Sequence, residues 1–245
     1  MKAEPAPLRY PRRQVVRFAL RAGIAAALSV LCDLNIEGAE NLPKRGPMLI
    51  VANHFNFLDP VLMIRLVPAP MEFIGGLRTP NAPAWTEGFR RAWGVLHVRR
   101  GGSSYETIKA AQSTLQQNGL VCLFPEGGSW AAVLRPARPG VALLTARAGA
   151  PILPVGLDGV EQIFPIRPGK RPRVTIRVGK PFGPFRFETR DRSSRQLLDE
   201  AGHEIMRQIA ALIPPERRGF YSDDPAIREA ARGTEIYPWE NVVEE

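Results

Sequence analysis

The 245-residue chain has only two cysteines and three histidines, and that scarcity excludes several kinds of protein. Cys32 and Cys122 make no CxxC pair and no zinc-type spacing, so neither a disulfide framework nor a cysteine-rich metal module is built from them. Each lies in an apolar run, which suits a buried, reduced thiol and a reducing compartment. There is no GxxxxGK phosphate loop, no GxGxxG and no metal-ligand cluster. No metal or prosthetic group is therefore implied. Internal repeats and low-complexity blocks are absent as well. The uncharged run at residues 22–32 is eleven residues, short of the ~20 that cross a bilayer.

Negative charge is also scarce: 24 Asp and Glu stand against 33 Lys and Arg, for a formal charge of +9. An anionic partner follows, whether nucleic acid, anionic lipid or a phosphorylated substrate. The charge is uneven. Residues 1–31 hold six basic side chains and one acidic, whereas residues 219–245 hold seven acidic and two basic. Residues 14–32 read as a helix in which Arg13, Arg17 and Arg21 recur every four positions as a polar stripe. Val16, Leu20, Ile24, Ala27 and Leu31 lie opposite. Such a helix is expected to lie in the interface of an anionic membrane surface, as a peripheral (monotopic) anchor on the cytoplasmic face of the cell membrane. The plain alternative is a helix packed on the domain with its arginines solvated. A nucleic-acid partner is not expected, because only Tyr10 and Phe18 stand near these arginines and no recognition motif occurs.

Hydrophobic residues make up 44% of the chain, enough for a sizeable core. Beyond the basic segment, short apolar runs at 48–52, 72–74, 95–98, 120–124, 152–155 and 174–178 read as strands. Helical patterns intervene at 60–66, 105–118 and 140–148, and a last amphipathic helix spans 193–213. The alternation predicts an α/β fold, one domain with a largely parallel central sheet flanked by helices. Runs such as MLIVA and LVCLF are apolar throughout, as strands covered on both faces are. Gly119 and Gly149 are expected to cap the helices they follow. The expected divisions are 1–33 for the basic segment, 34–215 for the catalytic domain and 216–245 for an acidic tail without evident chemistry.

In VANHFNFLDP, His54 falls at the C-terminal edge of the strand 48–52, where open α/β sheets bind ligands. Asp59 precedes Pro60, a setting for a helix cap, and the intervening loop could also fold its carboxylate onto the imidazole. A carboxylate on one ring nitrogen fixes the tautomer and leaves the other nitrogen as a base. For an isolated His-x4-Asp, the helix cap with an incidental histidine is the commoner meaning.

The surrounding blocks alter that balance. NHFNFLD at 53–59, GVLHVRRG at 94–101, FPEGGSW at 124–130 and ILPVG at 152–156 occur in the order seen in glycerolipid acyltransferases of the 1-acyl-glycerol-3-phosphate type. Over about residues 34–215 the sequence resembles that family. The resemblance implies that His54, oriented by Asp59, takes a proton from an acceptor hydroxyl, which attacks the thioester of acyl-CoA or acyl carrier protein. It also implies acceptor binding by Arg100, Glu126 and Gly127, with Asn53 and Gly128 as further substrate-binding positions of the same blocks. The acceptor implied is a lysophospholipid, most simply 1-acyl-glycerol 3-phosphate, in phospholipid biosynthesis.

Several positions depart from the pattern. Arg99 replaces an acid or small residue, and Gly128-Ser129-Trp130 replaces Thr-Arg-Ser, so a second phosphate-binding arginine is missing. Arg135 or Arg138 is a candidate substitute. Ser129 imitates a serine-hydrolase elbow, GxSxA, but Arg135-Pro136 leaves little room for the helix such an elbow needs. His97 reads as structural and His203 as solvated. Two rivals stay open: an acyltransferase for a different lysolipid, and a non-catalytic lipid-binding protein of the same fold.

Overall fold

The computed structural model describes residues 8–76, 82–98, 105–185 and 193–238. Within them helices alternate with strands: α1 (Gln14–Leu31), β1 (Asp33–Glu37), β2 (Met48–Ala52), α2 (Asp59–Leu66), β3 (Met71–Gly76), α3 (Trp85–Trp93), β4 (Leu96–Val98) and α4 (Tyr105–Gln116). β5 (Leu120–Leu123), α5 (Pro139–Ala148), β6 (Ile152–Asp158), β7 (Arg173–Val178), α6 (Ser193–Ala210) and α7 (Pro225–Ala231) follow. The strands form one sheet in the order β1-β7-β6-β2-β5-β3-β4. Every pairing is parallel except β6 with β7, where the chain reverses.

Period-two alternation divides the strand side chains between two apolar layers. Ile50 and Ala52 of β2 and Leu120 and Cys122 of β5 pack with α1, α2 and Trp93 of α3. Leu49, Val51, Val121 and Leu123 face α4, α5 and α6 instead. The result is a helix–sheet–helix sandwich, the α/β architecture anticipated from the alternation. Both cysteines are free and buried.

The structure adds elements that the sequence patterns did not disclose. β1 pairs with β7 at the far edge, and α3 presents Trp85, Phe89 and Trp93 at helical spacing. Gly149 caps α5 in the left-handed conformation, as expected, with φ of 59°. After α4 it is Asn118, not Gly119, that turns left-handed, with φ of 56°. Gly119 is needed for closeness instead: a Cβ there would come within 2.6 Å of Thr114. The described part of the acidic tail, residues 216–238, is also folded onto the domain. Leu134 N donates to Arg217 O and Phe220 N to Leu134 O, while Trp130 Nε1 donates to Thr234 O.

The arginine stripe of α1 faces the opposite way from the expectation. Arg17 is buried, donating through both terminal nitrogens to Glu72 at 2.8 and 2.7 Å and through Nε to Trp93 O. Arg12 reaches the same carboxylate at 2.7 Å, and Arg13 donates to the carbonyls of Arg91 and Ala92. A buried acid on β3 therefore draws the cations inward. Val15, Phe18 and Val30 are left on the outside, 83%, 74% and 70% exposed. The outer face of α1 is apolar and its charged face is docked.

Candidate active site

Parallel β2, β5, β3 and β4 lie side by side and point the same way, so the loops after them meet at one edge. His54 follows β2, and Phe124 to Gly128 follow β5, its neighbour. This adjacency brings together residues seventy positions apart.

His54 Nδ1 lies 2.9 Å from Asp59 Oδ2. The same oxygen accepts from the backbone N–H groups of Phe55 and Asn56, each at 2.8 Å. Asp59 stands in the first turn of α2 but turns back onto the preceding loop instead of capping its helix. Because an ionised carboxylate only accepts, the proton belongs on Nδ1, which leaves Nε2 to meet a substrate. Burial pushes the Asp59 carboxyl up, against the pull of His54 and the two backbone donors. Its Oδ1 is buried without a partner. The imidazole stacks on Phe124 with ring centres 4.2 Å apart, so one face is shielded from water.

Glu126 is wholly buried behind the histidine. Its Oε1 accepts from the His54 backbone N–H at 2.7 Å, and its Oε2 accepts from Arg135 Nε at 3.0 Å. Arg135 also donates to the carbonyls of His54 and Gly128, and its guanidinium lies 3.9 Å from the centre of the Trp130 ring. Burial raises the Glu126 carboxyl to about 7 even beside this cation. The pair ties the β2 loop to the β5 loop.

A cavity of about 120 Å³ opens beside His54, walled by aromatic side chains that include Phe57, Phe73, Trp85 and Phe89. Gly127 and Gly128 also line it. Gly127 adopts φ of 77°, a left-handed turn that suits glycine, and a Cβ there would press on Arg138 Cγ at 3.0 Å.

The predicted site residues thus fall into groups. His54, Gly127 and Gly128 line the cavity, and Asp59 is buried against the Nδ1 of His54. Arg100 and Arg99 lie outside the described residues. Asn53 is not turned to a ligand: its carboxamide donates to Leu157 O at 2.9 Å and accepts from Leu157 N at 2.7 Å, prolonging the β2–β6 pairing beyond the strand end. Glu126 likewise has both oxygens occupied by protein donors, which hold the two loops together. Arg135 is spent in the same buried pair and is no substitute phosphate ligand. Arg138 is exposed beside Gly127, its Nη2 donating to Glu235 O at 3.3 Å.

Ser129 is followed by no helix before α5 at Pro139, which removes the hydrolase elbow. His97 is exposed beside Arg90, and His203 is exposed with its Nδ1 3.0 Å from the Tyr221 hydroxyl. Sequence reasoning missed Glu72 and Trp85. A lone acid in the apolar strand MEFIG was the available signal for the first. Among the described residues, no group of three or more His, Cys, Asp or Glu side chains is placed to hold a metal ion.

The Acyltransferase family model matches residues 33–158, just over half of the chain. The chain belongs to the acyltransferase family. A 1-acyl-sn-glycerol-3-phosphate acyltransferase of Chlamydomonas reinhardtii is 28% identical over 85% of this chain and 61% of its own length. Another, the chloroplastic BAT2 of Brassica napus, is 27% identical over 63% of this chain and 45% of its own. The chain therefore spans roughly half to three-fifths of the curated relatives it matches. The crystal structure of PlsC, the 1-acyl-sn-glycerophosphate acyltransferase of Thermotoga maritima, superposes with a TM-score of 0.53 at 22% identity. It covers 81% of this chain and 83% of that one, and shares the fold.

Proposed function

We propose that this acyltransferase moves a fatty acyl group from acyl-CoA or acyl carrier protein to the free hydroxyl of 1-acyl-glycerol 3-phosphate. The observation that carries the reading is the His54–Asp59 pair, 2.9 Å apart at the head of an apolar cavity. Binding alone has no need of a histidine with a fixed tautomer, which weighs against a non-catalytic lipid-binding role. The relatives named for this activity support the choice of substrates.

In the reaction, Nε2 of His54 accepts the acceptor's hydroxyl proton as its oxygen attacks the thioester carbonyl. Asp59 stabilises the imidazolium that forms. The C–S bond breaks as the tetrahedral intermediate collapses, and the thiolate takes the proton back from His54. Phe124 and the aromatic walls keep water from competing for the acyl group. The cavity is the natural receptacle for an acyl chain. Arg90 is a described cation that lines the cavity, ion-paired with Glu87, and Arg138 stands beside Gly127; Arg100 is assigned to the acceptor phosphate by resemblance.

The apolar outer face of α1 suits a protein that works at a membrane, since both lipid substrates reside there. By length and composition α1 could also cross a bilayer. The docked Arg17–Glu72 pair favours a helix lying along the interface.

The test is thiol release from palmitoyl-CoA with 1-acyl-glycerol 3-phosphate and liposomes. His54→Ala should lower acceptor-dependent release by roughly 10²–10⁴-fold. Release that survives the substitution would remove His54 from the mechanism. A second reading, a lysolipid without a terminal phosphate, is favoured by the loss of Arg135 to an internal ion pair. Preference for such an acceptor over 1-acyl-glycerol 3-phosphate would select it.

A further inference from the structure

We propose that the loop between β6 and β7 is a second lipid-contacting element, one that seats in the headgroup layer of an anionic phospholipid leaflet beside the mouth of the active site. The inference rests on the membrane-surface reading given above and specifies where that surface lies.

Residues 164–171 are exposed without interruption. At the tip stand Phe164, Pro165 and Ile166, with Ile166 59% exposed, and Arg167, Lys170 and Arg171 follow within five residues. An apolar tip followed by cations matches the depth order of a leaflet, with the acyl boundary inside and the phosphates outside. Two large side chains at a loop tip bring no benefit in water. The acid nearest in the chain, Glu161, is already ion-paired with Arg217, so it does not neutralise the loop cations.

Two sets of contacts join this loop to the rest of the proposed surface. Arg171 Nη2 donates to the carbonyls of Ser29 and Cys32, at 2.7 and 3.1 Å, at the C-terminal end of α1. A cation there also answers the negative end of the helix. Leu31 of α1 then combines with Phe164, Arg167 and Lys170 to line an open hollow of about 500 Å³, room for a phosphate-bearing headgroup. On the other side, Phe164 meets Phe57 edge-to-face at 5.5 Å, and Phe57 meets Trp85 at 6.0 Å. Phe57 and Trp85 line the His54 cavity. The loop tip is therefore continuous with the cavity rim, and a lipid leaving the leaflet at Phe164 reaches His54 along an aromatic path.

The experiment is co-sedimentation of the full chain with vesicles of phosphatidylcholine alone and of equal phosphatidylcholine and phosphatidylglycerol. Wild type is compared with Ile166→Ser, with the double variant Arg167→Gln/Lys170→Gln, and with Val15→Ser/Phe18→Ser on α1. Each lipid-facing cation is worth about fivefold in partitioning, so the charge variant should bind anionic vesicles about 25-fold more weakly and neutral vesicles unchanged. Ile166→Ser should weaken binding to both several-fold. Thermal midpoints should be unmoved, because these side chains are exposed. If both loop variants bind as wild type does while the α1 variant is impaired, the loop proposal is overturned and the membrane reading stands. If wild type binds neither vesicle, both fall. Should Ile166→Ser instead change only self-association, the tip is a protein contact and the proposal is likewise overturned.

Discussion

Glu72 and Glu126 are both buried carboxylates paired with arginine, yet they sit at opposite ends of adjacent strands and behave differently. Glu72 lies near the start of β3, where two guanidiniums supply four hydrogen bonds. Glu126 lies just past the end of β5, with one guanidinium and two backbone donors. Burial disfavours the charge of each, but Arg17 and Arg12 outweigh it at Glu72 and hold that carboxyl below its ordinary value. At Glu126 burial prevails and the carboxyl rises to about 7. The count of donors, more than the presence of a partner, decides whether a buried acid stays ionised. The structural end of the sheet is fully satisfied. The chemical end keeps a carboxyl that titrates near neutrality and an arginine with Nη1 unpartnered.

The comparison breaks most visibly at Glu72. Glu72→Ala removes the acceptor shared by Arg12 and Arg17 and leaves Arg17 buried without a counter-charge, a loss of about 3–5 kcal/mol. Chemical or thermal unfolding would read it, and a loss under ~1 kcal/mol would show that α1 docks by its apolar contacts alone.

A smaller, pH-dependent effect is expected at Glu126. A carboxyl raised in the folded state contributes stability that is fully present below its ordinary 4.5 and is lost as pH rises through about 7. Glu126→Gln should therefore flatten the dependence of the melting temperature on pH between those values. A variant curve parallel to wild type would show that Arg135 holds the acid ionised throughout, making the two pairs alike. The smallest change is at Arg12, which is partly exposed and leaves Arg17 in place. Arg12→Ala should cost about 1 kcal/mol or less in the same unfolding assay.

Much of the candidate site could be read from the chain because its parts are local. Histidine and aspartate five apart on one loop can meet without tertiary help, and the strand before them announces the sheet edge. What misled was polarity taken as exposure. Arg17 was read as part of an outward-facing stripe and Arg135 as a candidate phosphate ligand, but each answers an acid brought near only by strand order. Asn53 was read with its block as a ligand, although the backbone of β6 takes both ends of its amide. Trp85 lay in a segment whose aromatic spacing of four was legible and was not used.

By itself the sequence determined the alternation of helix and strand, the apolar strands covered on both faces, and the family blocks around His54 and Asp59. Local periodicity and short-range hydrogen bonding suffice for those. Only the tertiary structure decided which face of α1 turns outward and that Glu126 braces the histidine loop. It also set Phe164 edge-to-face on Phe57, a wall of the His54 cavity. Each of these depends on a partner far away in the chain. A buried charge is oriented by whatever opposite charge the sheet order sets beside it, and no local pattern encodes that neighbour.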